Sequence, residues 1–84
     1  MTLTFPDPSR RFDVARNAVD FKGYDGLFEI RFLVEAGAIA KPGTPRTLCL
    51  TAFDESRDTI QEAARRAYAR GRRGFYVLTA ASLR

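Results

Sequence analysis

The sequence contains no histidine, no tryptophan and a single cysteine, Cys49. A Ser/His/Asp or Cys/His triad needs an imidazole, and a zinc site needs several Cys or His side chains at set spacings, so this chain assembles neither. Cys49 lacks a disulfide partner, lies between Leu48 and Leu50, and reads as a small buried hydrophobe without a catalytic role. The six glycines fall at turn and cap positions and none has phosphate-loop spacing, so no nucleotide, cofactor or metal is expected. No apolar run approaches the ~20 residues of a membrane-spanning helix. Residues 1–11 hold Pro6, Pro8 and two arginines instead of a secretory apolar core. The expectation is a cytoplasmic, non-enzymatic protein that does not engage a membrane.

What is present describes a small globular domain. The 84 residues are 45% hydrophobic, 29% charged and 12% aromatic, values far from disordered or fibrous chains. Area scaling lets a chain of this size bury roughly 63% of its unfolded surface, enough for one modest core and one domain spanning residues 1–84. Phe5-Pro6-Asp7-Pro8 fixes an extended path near the start, which reads as an edge or arm. From Ala18 to Val34 apolar residues recur with period two, at Val19 and Phe21, then at Phe28, Ile30, Phe32 and Val34. Asp25-Gly26 between the two runs is a favoured type I′ pair. Taking it as the loop places Phe21 opposite Ile30 and Val19 opposite Phe32 on one face, with Lys22 opposite Glu29 and Asp20 opposite Arg31 on the other.

Beyond this hairpin, Glu35 to Lys41 is alanine-rich and suits a turn or two of helix before Lys41-Pro42-Gly43. Thr44 is a candidate N-cap with Pro45 at the first helical position, and Leu50, Phe53, Ile60, Ala64, Ala67 and Tyr68 form a helical stripe ending near Gly71. A restart near Asp54 or Asp58 competes with one long helix, because Thr59 and Glu62 have capping-box spacing. Phe75-Tyr76-Val77-Leu78 reads as a third strand. The expected fold is α+β with the order β-β-α-β: a three-stranded antiparallel sheet carrying one principal helix on one face.

Taken in order, several landmarks resemble a family of small, mainly proteobacterial proteins, domain of unknown function 1488. They are Phe5-Pro6, Arg16 to Phe21 with Gly23 and Asp25-Gly26, Glu29-Ile30, Phe32 and Val34. They continue through Leu50 to Asp54, Arg57, Ile60 and Ala63-Ala64, and then Tyr68-Ala69-Arg70-Gly71-Arg72-Arg73-Gly74 with Tyr76 and Leu78. Between Ala36 and Thr47 they are sparsest. The resemblance implies a small α/β domain and carries no reaction, cofactor or catalytic residue.

Charge is unevenly distributed. Residues 57–84 carry seven arginines against Asp58 and Glu62, while residues 1–56 carry seven basic and eight acidic residues. Arg65, Arg66, Arg70, Arg72 and Arg73 fall at a helix end and the turn after it, and all are Arg, whose planar fork suits phosphate. Two readings fit: a nucleic-acid or anion contact surface, with Tyr76 as an exposed stacking aromatic, or a solvated helix end with Glu62 pairing Arg65 or Arg66. Arg57 lies on the apolar stripe, where its guanidinium must reach solvent or pair with Asp54, Glu29 or Glu35, or else meet the anion of a ligand for which it would be a second anchor. The alternative to a nucleic-acid-binding module is a protein-interaction or self-association module, a homodimer formed through the sheet edge or the helix.

Overall fold

In the computed structural model, which describes residues 2–84, the fold is α+β with a mixed five-stranded sheet and three helices. The strands are β1 (Leu3–Thr4), β2 (Arg10–Asp13), β3 (Ala18–Asp25), β4 (Phe28–Glu35) and β5 (Phe75–Leu78). The helices are α1 (Ala36–Ile39), α2 (Arg46–Glu55) and α3 (Arg57–Arg70), and a 3-10 turn covers Ala80–Leu83. β3 and β4 form the central antiparallel pair; β1 and β2 both pair with the outer edge of β3, and β5 lies beside β4.

The proline-bearing segment therefore lies along the sheet edge as expected. It pairs Leu3 with Asp25 and Thr4 with Tyr24, crosses Pro6 and Pro8, and then pairs Arg10 with Phe21 through Asp13 with Ala18. The chain reverses into β3 through a turn closed by Asn17 N–H on Val14 O at 3.3 Å, with Asn17 at φ 50°. Asn is among the few non-glycine residues that adopt this left-handed region readily.

The hairpin forms, but in a different register from the one the Asp25-Gly26 loop implies. Asp25 pairs with Phe28, so the loop is Gly26-Leu27, with Gly26 at φ 61° in the first central position and Leu27 outside the positive-φ region. That is the requirement of a type II′ loop. The pairs become Phe21 with Phe32, Val19 with Val34 and Lys22 with Arg31. Each strand still presents the same side chains inward, because the slip preserves the two-residue alternation. The two ion pairs survive as diagonals: Asp20 Oδ2 accepts from Arg31 at 2.6 Å, and Lys22 Nζ lies 3.7 Å from Glu29.

The third strand is parallel to β4, not antiparallel. Arg31 aligns with Phe75 and Val34 with Leu78. Three helical segments separate β4 from β5, and such a crossover returns the chain to run in the same direction as the strand it left. The region between Thr44 and Arg70 is a broken helix: α2 ends at Glu55 and α3 starts at Arg57. Ser56 between them has φ −107° and ψ 15°, off the helical wells, and donates its N–H to Ala52 O and Phe53 O at 3.0 and 3.1 Å. The N-cap of α2 is Pro45, one residue later than expected, and Thr44 Oγ1 donates to Lys41 O instead of capping the helix.

All three helices lie on one face of the sheet, and the core fills the space between. Val19, Phe32, Val34, Phe53, Ile60 and Ala64 are fully buried. Phe21, Phe32 and Tyr76 stack in series at 5.2 and 5.3 Å between ring centroids, each pair tilted by 16°. Cys49 is buried at 2% exposure, the small-hydrophobe role its neighbours suggested. No helix among the described residues is long and apolar enough to cross a membrane.

Candidate functional site

The arginine-rich stretch begins on the last two turns of α3 and ends in the loop before β5. Helical geometry divides it, because residues one apart point about 100° apart while residues three or four apart share a face. Arg65, Ala69 and Arg72 flank one cleft, together with Tyr68, Thr2 and Leu3. Arg66 and Arg70 flank another, which also takes Ser82 from the 3-10 turn and Arg84 just after it. Arg84 escaped the sequence reading because it lies eleven positions beyond Arg73 and reaches the cluster only when the terminal turn packs back on α3.

The six residues singled out from sequence have unequal freedom. Arg65 is held in place: its guanidinium lies over the Phe5 ring at 5.1 Å, its Nε donates to Leu3 O at 3.3 Å, and Glu62 is 3.9 Å away. Arg66 donates to Ser82 O at 3.0 Å, tying the last turn to the helix. The side chains of Arg70 and Arg72 are exposed and make no hydrogen bond or ion pair among the described residues. Arg73 is exposed as well, with its guanidinium 5.6 Å from the centroid of Tyr76.

Tyr76 is not an exposed stacking aromatic. It is 8% exposed and faces the helices, while its neighbour Phe75 turns to the outer face at 46%. The alternation of β5 follows from its alignment with β4, where Phe32 beside Tyr76 is an inward position. The Tyr76 hydroxyl donates to Gly71 O and accepts the Arg73 N–H at 2.8 Å. One buried side chain thereby fixes the turn that presents Arg70, Arg72 and Arg73. A second tyrosine anchors the helix end to the hairpin: Tyr68 Oη donates to Asp25 Oδ2 at 2.5 Å, and this bond to a carboxylate holds the phenol above its ordinary pKa.

Arg57 has its partner in Asp54, at 2.8 Å, and its guanidinium lies 4.9 Å from the centroid of Phe53. Asp54 also accepts a two-pronged bond from Arg10, with Nε at 2.9 Å and the terminal nitrogen at 2.8 Å. The Arg10 bond is the main reason the Asp54 carboxyl lies below the usual carboxylate range, with Arg57 adding to it. Arg57 therefore belongs to a link between the edge strand β2 and the α2–α3 junction, about an acid already occupied from two sides. The outer sheet face is mixed in charge, as the alternation implied: Asp20 receives both Arg11 and Arg31.

Among the described residues no group of three or more His, Cys, Asp or Glu side chains is placed to hold a metal ion. A protein-family model matches residues 3–78, nearly the whole chain and continuous through the landmark-poor stretch after Ala36. The chain belongs to the family described as protein of unknown function (DUF1488). No curated protein and no solved structure matches it. The landmarks Tyr68 and Gly71 to Gly74 with Tyr76 thus correspond, in this DUF1488 protein, to the anchored end of α3 and its tyrosine-braced turn.

Proposed function

We propose that this protein is a non-enzymatic cytoplasmic module that binds nucleic acid by contacting backbone phosphates with the arginines at the end of α3. The observation that carries the reading is the partition of charge. Of the fourteen basic residues, seven pair with a carboxylate, and of the other seven, five lie between Arg66 and Arg84. Arg70, Arg72 and Arg73 project from a turn whose backbone is held by a buried tyrosine, so little ordering accompanies contact with an anion. Guanidinium groups bind phosphate oxygens in two-pronged fashion and are less strongly hydrated than ammonium groups. Arg66 and Arg84 extend the basic surface along the adjacent cleft.

Such binding is independent of base sequence and governed by counterion release. Fluorescence-anisotropy titrations against mixed-sequence RNA and DNA, single- and double-stranded, should show log affinity falling with log salt at a slope of roughly −2 to −4 for three to five phosphate contacts. Changing Arg70, Arg72 and Arg73 together to Ala should leave the fold intact and bring that slope about 2 to 3 closer to zero. Unchanged affinity in the triple variant, or no binding by the parent protein at low salt, refutes the proposal.

A further inference from the structure

We propose that the free edge of β5 is a self-association surface, on which a second copy of this chain pairs its own β5 antiparallel about a two-fold axis through Tyr76. The hydrogen-bond pattern of the β4–β5 pair defines that edge. Arg31 N–H donates to Gly74 O at 2.8 Å, and in a parallel ladder this phase directs the backbone groups of Tyr76 and Leu78 toward β4. The N–H and C=O of Phe75 and Val77 therefore point away from the sheet, where among the described residues no further strand pairs with β5. Their side chains lie on the outer face at 46% and 48% exposure.

The two edges of the sheet are built differently. The β1–β2 edge carries Pro6, Pro8, Arg10, Arg11 and Asp13, the charged and proline residues that discourage strand addition. The β5 edge has no such guard within the strand. It is also self-complementary: with the axis at Tyr76, Phe75 of each copy falls opposite Val77 of the other, and both residues have outward-facing backbone groups. Each such pair exchanges two backbone hydrogen bonds and places an aromatic ring against a β-branched side chain on the outer face. Arg73 falls opposite Thr79 of the second copy, so no like charges meet across the axis.

Pairing joins two five-stranded sheets into one. Because the contact is four residues long on each side, the complex belongs among small, concentration-dependent associations, below about 1,200 Å² of buried surface. Each copy carries a net charge of +4, so added salt strengthens this contact. That is the opposite of its effect on phosphate binding, and the proposal does not depend on the arginine reading.

Sedimentation equilibrium of the full chain from roughly 10 μM to 1 mM, a range that brackets weak dissociation constants, tests the proposal at low and high salt. The expected result is a mass rising from one chain to two, with a tighter association at higher salt. Val77→Pro removes an outward N–H that the β4–β5 ladder does not use, and Val77→Lys places a charge at the edge. Both should remain monomeric across the range, with circular dichroism verifying their fold, and Val77→Lys decides if the proline variant fails to fold. The triple alanine variant of Arg70, Arg72 and Arg73 should still dimerise. A single-chain mass for the parent protein throughout, or dimers that persist in the folded Val77 variants, overturns the proposal.

Discussion

Phe32→Ala should remove a large share of this protein's stability. Phe32 is fully buried at the middle of β4, between Phe21 and Tyr76, with Phe5 at 6.1 Å. Truncation removes the transfer free energy of the ring and leaves a cavity bounded by aromatic rings too rigid to collapse into it, a combination that costs about 3 to 5 kcal/mol. The two stacked contacts contribute about 0.5 to 1.5 kcal/mol each beyond burial, which points to the upper half of that range. A chain of this length has a total stability of about 4 to 13 kcal/mol, so the variant loses between roughly a third and all of it. Phe28→Ala is the internal control. Phe28 has the same parity on the same strand but is 75% exposed beyond the end of the core, and its truncation should cost less than about 0.5 kcal/mol. Urea unfolding followed by circular dichroism measures both. A loss below about 1 kcal/mol for Phe32→Ala, or equal losses for the two variants, would show that β4 does not present this face to the helices.

Two further perturbations test the links around the arginine-bearing turn and the edge strand. Tyr76→Phe keeps the ring stack and removes the hydroxyl that bonds Gly71 and Arg73; a loss of about 1 kcal/mol is expected, with faster amide exchange confined to residues 71–74. Asp54 is held below the usual carboxylate range by Arg10, so its ionised form is favoured in the folded state. Its contribution is therefore present above the unfolded carboxylate value near 3.9 and disappears as pH falls through the lower folded value. Asp54→Asn should cost about 0.5 to 1 kcal/mol at neutral pH and less at a pH below about 3.9, as denaturant titrations at the two pH values would reveal. A constant difference between them would argue against the Arg10–Asp54–Arg57 link.

Local pattern was enough to name most of the core side chains, though not Tyr76. Period-two alternation in Ala18 to Val34 and the helical stripe from Phe53 to Tyr68 identified the buried faces, except that Phe28, first of its strand, is 75% exposed because it lies beyond the end of the core. Alternation depends only on parity, so it survived a slip of the hairpin register. It could not choose between Asp25-Gly26 and Gly26-Leu27 as the loop, since both place a glycine where a positive φ is needed and both satisfy the Asp20–Arg31 and Lys22–Glu29 attractions, directly or as diagonals. The charge asymmetry was equally plain, because composition is local information.

Tertiary structure alone decided direction and company. Whether β5 runs with or against β4 depends on how three helical segments return the chain, which no feature of Phe75 to Leu78 encodes. That direction and phase turned Tyr76 inward and left Phe75 and Val77 on an open edge. The same packing divided the arginines between two clefts, engaged Arg65 and Arg66 within the fold, and brought in Arg84 from the terminal turn. Side-chain periodicity is set within a few residues, whereas strand direction and the freedom of a charged group are set by contacts between residues far apart in sequence.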